Sequence, residues 1–448
     1  RKSGFLVPST TNSNSDTFLS MPYFFAIAQN KDMTFTPRFY NDDKFLLQTE
    51  FRQENLNSSH IGDFSILNQN DADSKNHFFY DYVKSLDLNY FDTSNLKFKI
   101  QKTSNNTYLK KNKLQSKIID DYDVLENSLQ LNFYSNDISI DTKVIAYESL
   151  NKNDSDKYEF IFPSLNLIKK VENKTSLDGD FIFKSNNLIR NYETNIFEKT
   201  NINDLIFNSN PKVSKLGLYN NYDFIIKNLN SDSSNSNNYK EKQNHYLSGL
   251  LQFNSSLPMK KDDENFQKIF KPKLSLKISP NDTKKVTDKD NRIDVNNIYS
   301  LNRLSLNDTL EGGSSLTYGS EFTIFDKKRS NEIFGLKFAN NLRFEENDDL
   351  PKNNQIGEKT SNFFGEISYS PNKYLTTKYN TSAKNNLTHT SYENFTSEIK
   401  INNFVTSFDY LNENYTLEKN SYLQNTTSYS TNDSSSFVFS TRENKTSN

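Results

Sequence analysis

Apolar and polar residues alternate with a period of two from one end of this chain to the other. In residues 44–52, Phe45, Leu47, Thr49 and Phe51 share one face while Lys44, Gln48, Glu50 and Arg52 share the other; Leu46 breaks the pattern. Phe98 and Ile100 alternate with Lys97, Lys99 and Gln101, and Leu129, Leu131 and Phe133 with Gln130 and Asn132. Leu274, Leu276 and Ile278 alternate with Ser275, Lys277 and Ser279; Phe404, Thr406, Phe408 and Tyr410 face away from Ser407 and Asp409; Phe437 and Phe439 alternate with Ser440 and Arg442. A 180° repeat is that of β-strands with one apolar face.

Polar clusters without periodicity separate these runs, at 68–76, 151–157, 228–244 and 280–292, and they read as loops. Asp178-Gly179, Gly312-Gly313 and Pro371-Asn372 read as short turns. No helix longer than a turn or two is indicated, and no linker divides the chain. Long polar stretches mixed with tight turns predict an all-β fold, a large antiparallel transmembrane β-barrel. At about 18–22 residues per strand and connection, the chain holds roughly 20–24 strands of a barrel of ~26. A soluble β-solenoid or adhesin also gives alternating strands, but with a fixed repeat and abundant corner glycine. Here glycine is 11 of 448 residues and the spacing is uneven.

Composition changes this picture little. Mean hydropathy is −0.83, which a barrel tolerates because only the outward half of each strand must be apolar. Net charge is −2, so no global basic field draws in nucleic acid. Aromatics make up 14%, from 25 Tyr and 36 Phe, which argues against disorder. Cysteine is absent, which removes disulfides, thiolate metal sites and cysteine nucleophiles from this chain. No apolar run approaches the ~20 residues of a membrane helix. The start at Arg1-Lys2-Ser3 and the finish at Lys445-Thr446-Ser447-Asn448 read as cuts inside a longer protein.

The N-terminal stretch is the most informative. It reads RKSGFLVPS, then TTNSNSD, then MPYFFAIAQNKDMTFTPRFY, then KFLLQTEFR. This resembles the start of the barrel of the LPS-assembly protein LptD (OstA/Imp) family, on Ser3, Gly4, Phe5, Leu6 and Pro8; Pro22, Tyr23, Phe24 and Ile27; Asp32, Thr34, Thr36 and Pro37; and Glu50, Phe51 and Arg52. The match at motif strength covers about a ninth of the chain. The runs EFIFP at 159–163 and STREN at 440–444 also look like family segments, and the rest matches loosely as barrel strands.

The resemblance implies one barrel domain over 1–448, without the N-terminal periplasmic jellyroll and the last strands. It implies an outer-membrane translocon component of a Gram-negative bacterium, not an enzyme, with no cofactor. Lipopolysaccharide sugars would pass through the lumen while the lipid leaves by a lateral gate between first and last strands. Pro8 and Pro22 match the prolines flanking that gate; they can also simply shape turns at the rim. Pro37 looks more like a strand end. Phe5, Tyr23, Phe24 and Phe25 suit an aromatic girdle or the route of the acyl chains. Asp32 and Arg52 either pair in the lumen or face water separately. The implied partners are lipopolysaccharide, outer-membrane lipid, an LptE-like lipoprotein plug and, through the absent jellyroll, an LptA-like periplasmic bridge. Family members carry cysteines tying jellyroll to barrel; either these lie outside this chain or the lineage differs.

Two rivals remain at this point: a substrate-specific receptor or porin, with a plug and a closed seam, and a soluble adhesin, with no apolar belt. His60, His77, His245 and His389 show no ligand spacing and read as solvated loop or lumen residues. The acidic runs at 71–73, 261–264 and 345–349 read as solvated loop tips, with cation bridging to neighbouring lipopolysaccharide phosphates as the other reading.

Overall fold

The computed structural model describes residues 2–12, 17–41, 44–70, 72–152, 154–289, 291–304, 306–414, 419–432 and 435–445. Arg1, most of the polar stretch at 10–16, Asp71 and residues 446–448 of the readings above lie outside these. The described residues form 27 strands in one antiparallel sheet, with a single five-residue α-helix and two 3-10 turns. The expected all-β antiparallel class is what the chain adopts. Some of the 27 are pieces: two strands at the N-terminus are each broken in two, and Lys212–Val213 and Met259–Asp262 are short extensions. The estimate of 20–24 counted whole strands.

The chain divides into two compact units. The first comprises Arg1–Val171, Ile182–Asn203 and Asn228–Tyr246; the second comprises Glu172–Phe181, Asp204–Lys227 and Leu247–Asn448. The first begins with β1 (Gly4–Phe5), β2 (Ser9–Asn12), β3 (Thr17–Ser20), β4 (Tyr23–Ala28), β5 (Lys31–Tyr40), β6 (Phe45–Glu54), β7 (Ser58–Gln69), β8 (Ala72–Ser85) and β9 (Thr93–Thr103), followed by α1 (Tyr108–Asn112). From β5 to β9 each strand pairs with the next in sequence.

Burial within these strands is inverted relative to a water-soluble sheet. In β7, Asp63 and Ser65 are 1% and 0% exposed, while Phe64 and Ile66 between them are 39% and 37% exposed. In the strand Phe266–Ser279, Lys277 is 2% exposed and Ile278 45%. The apolar positions align across neighbours. In the second unit Phe270, Phe322, Leu336, Ile367, Tyr379, Phe395, Tyr410 and Leu423 stand directly opposite one another across eight strands. Each large apolar side chain left in water forgoes about 1.5–3 kcal/mol, and soluble monomers do not carry continuous apolar rows of this length. Lipid is the solvent that suits this face, which removes the soluble-adhesin rival.

The polar face carries folded-in connections. In the second unit Gly313–Asp326 and Asn331–Arg343 are antiparallel neighbours, so the long connections 280–312 and 344–362 leave the same end of the sheet. The opposite end is closed by short turns at 327–330 and 373–374. The cluster read as a loop at 68–76 is mostly strand, because β7 runs to Gln69 and β8 begins at Ala72. Residues 228–234 of the cluster at 228–244 also belong to a strand, Tyr219–Ser234. Both misread for one reason: a strand end beyond the apolar band is polar on both faces.

Candidate functional site

The first hairpin is broken on both sides at the same height. β1 pairs with β4 through Gly4 opposite Phe24 and Phe5 opposite Tyr23, and β2 pairs with β3 from Ser9 opposite Ser20 to Asn12 opposite Thr17. Residues 6–8 and 21–22 form the gaps, and they contain Pro8 and Pro22. Across the first gap the Leu6 amide donates to the Pro22 carbonyl at 2.8 Å. Hydrogen-bonded partners in an antiparallel ladder normally exchange two bonds; proline has no N–H, so the return bond is missing. The same happens on the other side. The Met21 amide donates to the Pro37 carbonyl at 3.1 Å, and Pro37 cannot reciprocate. Pro37 is not a strand end: it lies inside β5, opposite Leu47 of β6. Three prolines thus sit at one level on neighbouring strands, and each of two adjacent seams lacks half a bond pair there.

The other motif residues surround this break. Ser3 Oγ accepts the Ala26 amide at 2.9 Å. The Phe5 and Tyr23 rings meet edge to face at 5.1 Å, with Phe5 largely exposed. A side chain at Gly4 would meet nothing, so no close approach explains that glycine. Thr34 stands opposite Phe24 on one side and Glu50 on the other. Asp32 and Arg52 do pair: they face each other across β5 and β6, with Arg52 Nε 2.8 Å from Asp32 Oδ1 and Asp32 buried. They border a cavity of about 610 Å³ that Lys117 also lines. At the other end of the chain, the strand Ser435–Asn444 pairs with Lys419–Asn432, and all its residues are exposed.

The polar face of the first unit is filled by the connection after β9. Tyr108, Leu109, Leu114 and Ile118 form one apolar cluster with Leu46, Leu67, Phe79 and Leu125 of the strands. Beneath it, Ser65 Oγ lies 2.6 Å from His77 Nδ1 and 2.7 Å from the Tyr108 hydroxyl, and His77 Nε2 lies 2.9 Å from Asp63. Burial pushes the Tyr108 hydroxyl up to about 12. His77 is therefore no solvated histidine; it is fully buried. His245 and His389 are exposed, as read from the sequence.

In the second unit, buried charges hold the connection 280–312. Arg303 Nε donates to Glu311 Oε2 at 2.8 Å, Arg343 Nη1 reaches Glu311 Oε1 at 2.6 Å, and Arg303 Nη1 reaches Asn341 Oδ1 at 2.7 Å. Lys277 Nζ donates to the Ser300 carbonyl and Arg343 to the Gly312 carbonyl. Burial raises the Glu311 carboxyl, but the charges of Arg303, Lys277 and Arg343 outweigh it and hold it at about 2. Gly312-Gly313 is where the connection re-enters the sheet; Gly313 has φ +82°, and a side chain at Gly312 would strike the Asn281 carbonyl at 2.1 Å. Tyr299 packs over Gly319, where a Cβ would lie 2.5 Å from its hydroxyl and 2.1 Å from the Phe338 carbonyl. Gly319→Val should therefore displace Tyr299 and cost about 1–3 kcal/mol through overpacking. Faster trypsin cleavage between 284 and 303 checks this, and unchanged cleavage would contradict it.

Of these inner-face residues the sequence marks only His77, Lys277 and the Gly312-Gly313 turn, and it gives none of them a part in holding a connection. The one available signal was Leu46, an apolar residue on an otherwise polar face, which belongs to the core beneath α1.

Comparison with known proteins places this arrangement. The family described as "LptD: LPS transport system D" matches residues 75–442. The LPS-assembly protein LptD of Nitrosococcus oceani is 48% identical over 63 residues, 14% of this chain and 8% of that protein. Those of Pseudomonas fluorescens and Bordetella pertussis are 41% identical over 78 residues (17% and 8%) and 47% identical over 53 residues (12% and 7%). The aligned stretches thus span less than a tenth of these relatives. Among solved structures, the alcaligin outer membrane receptor FauA of Bordetella pertussis overlays 98% of this chain and 75% of its own at 7% identity and TM-score 0.25, too weak a likeness to assign a fold. The family match runs through the strands beyond the opening motif, over most of the chain. The chain belongs to the LptD family of LPS transport system proteins, and its place is the outer membrane of a Gram-negative cell.

Proposed function

We propose that this chain is the membrane-spanning barrel domain, over 1–448, of a translocon that inserts lipopolysaccharide into the outer leaflet. The observation that carries this reading is the inverted amphipathy: an apolar face aligned across eight strands, backed by a polar face able to carry a hydrated glycan. The lipid leaves sideways through a gate between the first and last strands, and Pro8 and Pro22 weaken the ladder of the first hairpin beside that gate. Phe5 and Tyr23 flank that opening on the lipid side; Phe24, level with Thr34, Glu50 and the buried Asp63, faces inward and lines its polar side with Asp32 and Arg52. An LptE-like lipoprotein and an LptA-like bridge are the expected partners. Depleting the chain from its cell should remove lipopolysaccharide from the surface while it accumulates inside, read by labelling lipid A from outside intact cells. Unchanged surface lipopolysaccharide on depletion overturns the reading.

A further inference from the structure

The second unit holds a cavity of about 510 Å³ that none of the motif residues lines. Its floor is the polar face of neighbouring strands. Asn254 and Ser256 come from Asn244–Ser256, and Lys271 and Lys273 from Phe266–Ser279, where Ser256 stands opposite Lys273. Tyr299, from the folded-in connection 280–312, closes the far side. Its ring lies 4.3 Å from Lys273 Nζ, and its carbonyl accepts the Gln252 amide at 2.7 Å.

The charges do not balance. Glu321 stands opposite Lys271 in the ladder, but its carboxylate is engaged by Lys273 at 2.9 Å. Lys271 has no ion-pair partner among the described residues. Asp223, which Asn254 of the floor also reaches, is held by the side-chain amides of Asn221 at 2.9 Å and Asn254 at 3.1 Å. An amine without counter-charge at the mouth of a cavity favours an anion, and phosphate suits the ammonium group as a point charge. Amides and a hydroxyl on the floor supply neutral hydrogen bonds. The Tyr299 ring offers a flat apolar surface for the C–H face of a sugar.

We infer that this cavity binds a phosphorylated saccharide, with Lys271 and Lys273 on the phosphate and Asn254 and Ser256 on sugar hydroxyls. The inference rests on the translocon reading and narrows it to one place where the phosphate-bearing sugar of the cargo is held.

The test uses the full chain in detergent micelles with three probes: glucosamine 1-phosphate, N-acetylglucosamine and inorganic phosphate. Saturation-transfer NMR titrations give the affinities. Saturable binding of glucosamine 1-phosphate is expected, with neither other probe competing at the same concentration. Lys271→Gln should weaken it about tenfold, the value of one charge-assisted hydrogen bond, and Lys271→Arg should retain it. Lys271 is partly exposed and unpaired, so neither variant disturbs packing. No saturable binding, or equal affinity in Lys271→Gln, overturns the site. Equal affinity for inorganic phosphate makes it a free-phosphate site and overturns the saccharide assignment. If depletion abolishes surface lipopolysaccharide while the sugar phosphate fails to bind, the translocon reading stands and this site alone falls.

Discussion

Glu311→Gln should release the connection 280–312 from the polar face. Two guanidinium groups, Arg303 and Arg343, meet on this one carboxylate, and all three side chains are almost fully buried. Neutralising it leaves two buried cations facing each other without compensation. Breaking a buried pair in this way costs about 3–5 kcal/mol. The expected result is rapid trypsin cleavage at Lys284, Lys285, Lys289, Arg292 or Arg303 in detergent micelles, while strand content by circular dichroism stays near that of the parent. Cleavage at the parental rate would show that the apolar cluster of Ile293, Val295, Ile298 and Leu304 holds the segment without the charges. The pH dependence follows from the same residue. Its carboxyl sits at about 2, below its ordinary value of 4.5. A depressed carboxyl contributes stability that is complete above the ordinary value and is lost as pH falls through the folded one. The segment should stay protected through neutral and mildly acidic pH and loosen only towards pH 2.

Replacing Pro8 and Pro22 together by valine should close the weak line through the first hairpin. Pro22→Val would supply the amide that the Leu6 carbonyl lacks, and Pro8→Val would let the ladder run from β1 into β2. Each restored bond contributes about 0.5–1.5 kcal/mol. If the lipid leaves here, surface lipopolysaccharide should fall severalfold at unchanged barrel abundance, measured by outside labelling of lipid A. Normal surface lipopolysaccharide with normal abundance counts against a gate at these prolines. It would leave them as shapers of a break in the strands.

The strands were legible in the sequence because their outward faces are apolar and their inward faces polar. The alternation of Leu274, Leu276 and Ile278 with Ser275 and Lys277 is the alternation the sheet shows. The folded-in connections were not legible, for the complementary reason. On a polar inner face burial selects Arg303, Glu311, Asn341 and His77, the residue types that elsewhere mark solvated loops. Hydropathy has no way to separate the two. The pairing of Asp32 with Arg52 depends on the register between β5 and β6, which the motif does not set. The sequence couples Pro8 with Pro22 and sets Pro37 apart as a strand end; the common level of all three emerges only once that register is known.

That common level decides how such a seam fails. A zipper parts from an end, but here both ends are fastened. Phe18, Leu19 and Ser20 face Tyr40, Phe39 and Arg38 on one side of the break, and Tyr23 to Ala26 face Phe35 to Asp32 on the other. The ladder between β5 and β6 runs unbroken past the same height. Under strain the first tear is a slit partway along the strands, bounded at both tips by intact rungs. A slit has a fixed height along the strands and a limited length, so it opens and recloses with the hairpin still held in the sheet.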